Sequence, residues 1–188
     1  MANDSLVHLR FELAGTVQLS RVLEGISGDL SDLRPAWERM AQEYRETRHG
    51  LFAREGSFEG EPAWDPLSPK YAEWKEQRYP DRPILVLTGE TRASLTDASH
   101  PDHYFKAEPQ EMAVGSVHKT PDGRWNLPLL HQLGTRNMPA RPPGNLTQPE
   151  KGRWVSILHE WLWEDRAAWW VNKEMKDMDR EFRRKSGL

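Results

Sequence analysis

His100-Pro101-Asp102-His103 is the densest group of side chains able to do chemistry in this sequence, because imidazole and carboxylate together suit zinc. Its spacing fits none of the usual ligand sets. His8, His49, His118, His131 and His159 are scattered without a paired acid or an HExxH helix. They read as solvated or hydrogen-bonding histidines, with His131 orienting its neighbouring turn; a metal-dependent hydrolase using His100, Asp102 and His103 is the rival reading. Ser68 and Ser94 lack the Gly-x-Ser-x-Gly elbow of a serine nucleophile, and no glycine-rich segment precedes a Lys-Ser or Lys-Thr pair to cradle phosphate. Asp65, Glu73, Glu76 and Asp81 lie near Trp64, yet acidic neighbours are common on any wet surface. The expectation is a protein with no catalytic residue, no cofactor, no metal and no small-molecule substrate.

Bulk properties point the same way. The 188 residues suit one core plus an extension, and 29% of them are charged, so much of the chain must stay wet. Nine Trp residues argue against disorder and toward a core or contact surfaces, where Trp is a favoured anchor. A net charge of -3 gives no global attraction to a polyanion. With no Cys there is no disulfide framework, thiolate site or cysteine nucleophile, which fits a reducing cytoplasm. No leader pattern opens the chain and no stretch approaches the roughly 20 apolar residues of a membrane span. It is expected to be neither exported nor membrane-embedded.

The elements that must position any site follow from periodicity. Residues 6–13 alternate in part, with Val7, Leu9, Phe11 and Leu13 on one side, and read as a half-buried strand closed by Gly15. Leu33, Trp37, Met40, Tyr44, Thr47 and Leu51 line one face of a long helix, with Asp32 as N-cap and Pro35 in its first turn. Residues 54–69 hold too many Gly and Pro for regular structure. Ser68 can cap a short helix that runs to Tyr79 and stops at Pro80, whereas residues 84–95 fit strand or helix equally. Residues 104–107 and 112–116 predict a hairpin with the four-residue connection Glu108-Pro-Gln-Glu111. After a second breaker-rich stretch, Thr147-x-x-Glu150 forms a capping box. From it a helix of about 30 residues, or roughly 45 Å, should carry Trp154, Ile157, Trp161, Glu164, Ala168, Val171, Met175, Met178 and Phe182 on one face, with Glu164 the one polar interruption. The fold class expected is α+β, a small antiparallel sheet packed with long N-terminal and C-terminal helices and extended Pro/Gly-rich loops. One domain is expected over residues 1–170, with residues 171–188 a projecting charged helical extension.

Two motifs stand out. The first reads Trp64-Asp-Pro66-Leu67-Ser68-Pro69-Lys-Tyr71, followed by Lys75 and then by Thr88-Gly89; the second reads His131-Gln132-Leu-Gly134, followed by Pro139-Ala-Arg141-Pro142. In this order they resemble the phage virion morphogenesis family, which includes tail completion proteins of contractile-tailed phages, over roughly residues 55–165. The chain departs from that pattern at the polar Glu90-Thr91-Arg92, at the insertion-like residues 119–126 and at Pro143, where an aromatic is expected. The resemblance implies an α+β domain without cofactor that works at the head-proximal end of the tail. It would reside in the virion neck or tail end after assembly in the host cytoplasm. Tail termination is the alternative role.

Contact surfaces can be named on residues alone. Trp64 with Pro66 and Pro69 makes a stiff loop that serves fold maintenance or direct contact. Arg141, held on a stiff Pro139-to-Pro142 segment, is a candidate for an inter-subunit ion pair. One helix face cannot bury Trp154, Trp161, Trp163, Trp169 and Trp170 together, so Trp163, Trp169 and Trp170 are candidate interface residues. The family resemblance, rather than these residues, implies the partners: copies of the chain, in a ring of six-fold symmetry, and neighbouring neck or tail proteins. A transient DNA contact rests on the basic residues 180–185, though their mixture with Asp177, Asp179 and Glu181 also fits a solvated helix.

Overall fold

The computed structural model describes residues 16–186, so the strand expected at residues 6–13 lies outside the described residues. The elements run α1 (Thr16–Leu30), α2 (Arg34–Ala53), α3 (Pro69–Arg78), α4 (Glu90–Thr96), β1 (His103–Glu108), β2 (Glu111–Ser116), α5 (Leu127–Leu133) and α6 (Gln148–His159). A π-helical segment, Glu160–Ala167, then leads into α7 (Ala168–Ser186). The fold is α+β, with a two-stranded antiparallel sheet and a long C-terminal helical run. Its described residues form two units, Asp32–Glu160 in one and residues 16–31 with 161–186 in the other.

In the central unit, α2 is the spine. Its 3-4 spacing buries Ala36, Met40, Ala41, Tyr44, Thr47, Arg48, Leu51 and Phe52. Pro35 lies in the first turn, as its missing N–H allows, but the N-cap residue is Leu33; Asp32, expected there, accepts from the Arg34 N–H (3.2 Å) and binds its guanidinium. Tyr44, Leu51, Phe52, Trp64, Val86 and Leu95 form the core, flanked by Phe58, Ile84, Val114, Leu146 and Trp154. The ambiguous residues 84–95 resolve into a turn-rich entry and α4, because Gly89 adopts φ +100 at the N-cap, a conformation that closes off a strand. The hairpin pairs His103 with Ser116 through Glu108 with Glu111, so its connection is two residues, Pro109 and Gln110, rather than four. α5 was not legible as a helix beforehand; Asn126 caps it by accepting from the Leu129 N–H (2.8 Å). The Thr147 capping box is present in full at the start of α6, with Glu150 as the reciprocal acceptor.

The second unit pairs α1 with α7 in antiparallel fashion. Gly25 admits the indole of Trp170, whose ring atoms would lie 2.3 Å from any Cβ placed there. The Trp170 indole N–H donates to Asp29 (2.7 Å), which also pairs with Arg166 (2.7 Å). Arg21 faces the buried Glu174 at 3.5 Å.

Candidate functional site

The first motif is built on a close backbone approach. Gly56, at φ +93, lies against Trp64 so tightly that a Cβ would come within 2.7 Å of the Trp64 nitrogen. That nitrogen donates to the Glu55 carbonyl (2.8 Å), and the indole packs edge-on against Phe52 at 5.4 Å. The chain then leaves the core, and the carbonyls of Asp65 and Pro66 are freed for a partner.

Arg141 is that partner. Its Nε donates to the Asp65 carbonyl (2.7 Å) and its Nη2 to the Pro66 carbonyl (2.8 Å), with the side chain only 4% exposed. Both fork positions are used on backbone, which explains why Arg rather than Lys suits this position. Arg141 is itself anchored, because its N–H donates to the His131 carbonyl at the end of α5 (2.8 Å). Gly134, at φ +70, turns the chain back so closely that a Cβ would lie 2.7 Å from the Ala140 nitrogen. Gln132 closes the loop by accepting from the Gly144 N–H (3.2 Å) and donating to the Asn145 side chain. Burial and the neighbouring Arg141 push the His131 imidazole down to about 4, so it is neutral at pH 7.

The two motifs are therefore one construction, with a cleft of about 240 Å³ between their loops, lined by Leu51, Gly56, Ala63, Trp64, Ala140 and Pro142. Other motif residues stand apart. Buried Lys75 donates to the Pro83 carbonyl (2.5 Å), and burial lowers its pKa. Thr88 accepts from the Glu90 N–H (3.4 Å) beside Gly89, at the start of α4. Leu67 is half-buried, whereas Pro66, Ser68 and Pro139 are exposed. Ser68 is the N-cap residue of α3 without a side-chain cap bond, and Tyr71 stacks on Trp74 at 5.4 Å on the exposed side of that helix. Of the departures from the family pattern, Pro143 is fully buried and Glu90-Thr91-Arg92 opens α4.

A polar network beneath this site was not anticipated. Arg48 and Glu150 form a wholly buried pair, and Arg48 also donates to the Asn145 carbonyl. Burial pushes the Glu150 carboxyl up to about 7 against the pull of Arg48. Thr147 donates to Glu59 (2.5 Å), which pairs with Arg153 at 2.8 Å. Burial acts to raise Glu59, but its bonds with Arg153 and Thr147 hold the carboxyl below its usual range. The signal was present in α2: Arg48 follows Tyr44 by four residues and so falls on the buried face.

The histidines are spent locally. His100 contacts Glu90 (3.0 Å), His118 contacts Asp102 (2.7 Å) and His103 turns to the Ser94 carbonyl (3.0 Å). Among the described residues no group of three or more His, Cys, Asp or Glu is placed to hold a metal ion, so His100, Asp102 and His103 do not converge on one point. Trp163, Trp169 and Trp170 belong to the α1/α7 unit. Trp163 and Trp169 are 53% and 47% exposed, while Trp170 is engaged by Gly25 and Asp29.

A motif pair locked by one arginine is a distinctive arrangement, and comparison with family models places it. The model of the phage virion morphogenesis family matches residues 15–162. The chain belongs to that family. No curated protein and no solved structure matches it. Membership makes this chain a structural, virion-associated protein of bacteriophage assembly. The matched stretch contains both motifs and ends just after Trp161, leaving Trp163 and all of α7 beyond it. No described helix is long and apolar enough to cross a membrane.

Proposed function

We propose that this virion morphogenesis protein completes the phage tail, capping its head-proximal end so that the DNA-filled head can be joined to it. It acts by binding, as a ring of copies matched to the six-fold symmetry of the tail, in contact with neighbouring neck or tail proteins. The observation that carries this reading is the Arg141 lock. Two loops that would otherwise be free are fixed to each other by two short hydrogen bonds from one buried guanidinium. Rigid, pre-organised loops lower the ordering cost of association, which suits a docking part. Closed rings use heterologous contacts, so each copy must offer two different patches. The cleft edge at Trp64 and Ala140 is one candidate, and the exposed Trp163 and Trp169 supply another.

Electron microscopy of lysates from a phage deleted for this gene tests the reading. Filled heads beside unjoined tails of normal length are expected, with joined particles restored by complementation. Overlong tails would instead assign the chain to length termination, and normal infectious virions would overturn the assembly role.

A further inference from the structure

The α1/α7 pair buries little of its own apolar surface. Along the contact line between the helices lie Arg21 with Glu174, Gly25 with Trp170, and Asp29 with Arg166. At about 100° per residue, Val22, Leu23, Ile26 and Leu30 turn to one side of that line on α1. Val171, Met175, Met178 and Phe182 turn away from it on α7, and because the helices are antiparallel both stripes face the same side. Leu23, Leu30, Val171, Met175, Met178 and Phe182 are 43–63% exposed. The other side carries Lys173, Arg180 and Arg184 with Trp169, whose ring lies 5.2 Å from the Lys173 ammonium.

We infer that this apolar face is where two copies of the chain meet, α1/α7 pair against α1/α7 pair, as a four-helix bundle. Three observations select a second copy. The six exposed side chains offer about 600 Å² per copy, so a symmetric pair hides about 1,200 Å², above the roughly 1,000 Å² that a specific interface needs. The rim beside the stripe on α7 carries both signs, Lys176 and Arg183 with Asp179, so each copy offers both partners of an ion pair to a like surface. Two amphipathic helices with one common apolar side are half of a four-helix bundle, the arrangement that covers such a side completely. The contact is isologous and closes on two copies, so it describes the free protein and stands independently of the ring proposed above. Of this surface, the α1 stripe lies within the family match and the α7 stripe beyond it.

Sedimentation velocity of the full chain between about 1 and 100 µM tests it. The expected species has twice the 21.9 kDa mass of the chain. Met175→Glu with Phe182→Glu should return it to single-chain mass with helix content retained by circular dichroism, a rise in Kd of at least about 100-fold. Arg184→Ala, on the opposite side, should leave the double mass unchanged. A wild type at single-chain mass throughout would overturn the inference. So would a Met175→Glu/Phe182→Glu variant that keeps the double mass. Flotation of a monomeric chain with vesicles of phosphatidylcholine and phosphatidylserine would assign the face to a lipid surface instead.

Discussion

Arg48 and Glu150 stand 102 residues apart in sequence and face each other with neither side chain exposed at all. Each is the other's condition for burial. Removing one partner leaves an uncompensated group in the interior, which costs about 3–5 kcal/mol, whereas replacing both is close to neutral. Arg48→Met should therefore lower the urea midpoint strongly. Arg48→Met with Glu150→Gln, which keeps an acceptor for the Thr147 N–H, should recover most of the loss. A double variant no more stable than Arg48→Met would contradict the pairing.

The site predicts a pH signature with two opposing slopes. Glu150, raised to about 7 from 4.5, contributes stability that is full below pH 4.5 and lost as pH rises through 7. His131, lowered to about 4 from 6.5, contributes stability that is full above pH 6.5 and lost as pH falls through 4. His131→Asn removes only the second slope. Relative to wild type, its stability should improve by about 1–2 kcal/mol between pH 7 and pH 4.5. Urea midpoints of both proteins at several pH values check this, and parallel profiles would reject it.

Gly134 is a steric requirement as well as a conformational one. At φ +70 a Cβ would meet the Ala140 nitrogen at 2.7 Å and the Met138 carbonyl at 2.9 Å, both backbone atoms that cannot swing aside. Gly134→Ala should cost about 2 kcal/mol or more. Gly60, at φ +86 with open space around it, should lose only about 1 kcal/mol on the same change. Equal losses in thermal or chemical denaturation would show that crowding at Gly134 is unimportant.

Arg141→Lys keeps the charge but not the fork. One of the Asp65 and Pro66 carbonyls then loses its donor, at about 1–3 kcal/mol. The loss should be local, so limited proteolysis within residues 54–68 should speed up several-fold while the melting temperature falls modestly. Unchanged cleavage would mean that Arg141 does not hold the loop.

How far the residues foretold this arrangement depended on the range of the interaction. The Thr147 capping box, the short helix starting at Pro69 and the buried face of α2 were legible because each is written within one or two helical turns. The motifs were legible as separate strings, but nothing local says that Arg141 reaches Asp65, 76 residues earlier. Arg48 went unread because its partner, Glu150, is supplied by another helix. α5 went unread since its seven residues contain a Pro and little periodicity. The C-terminal helix was expected to keep one 3-4 stripe throughout. The π-helical segment at Glu160–Ala167 resets that register, which is why Trp161 is buried while Met175 and Phe182 stand exposed.

The α1/α7 pair gives an independent check on the unit division. Asp29 accepts from both Arg166 and the Trp170 indole, so Asp29→Ala leaves two donors without their acceptor. Hydrogen exchange should accelerate about tenfold in α1 and α7 while α2 and α6 keep their protection. Equal acceleration in α2 would mean that the two units open together.

The long sequence separations in the central unit also set a schedule for synthesis. Arg48 must wait for Glu150, Asp65 and Pro66 for Arg141, and Glu59 for Thr147 and Arg153, so the ribosome must deliver the first half of α6 before α2 can settle. Contacts this distant slow folding, and a nascent chain cut short of residue 153 has its polar groups without answering ones. Truncated products should therefore be cleared by cellular proteases rather than accumulate as half-built parts, which leaves only finished copies available for virion assembly.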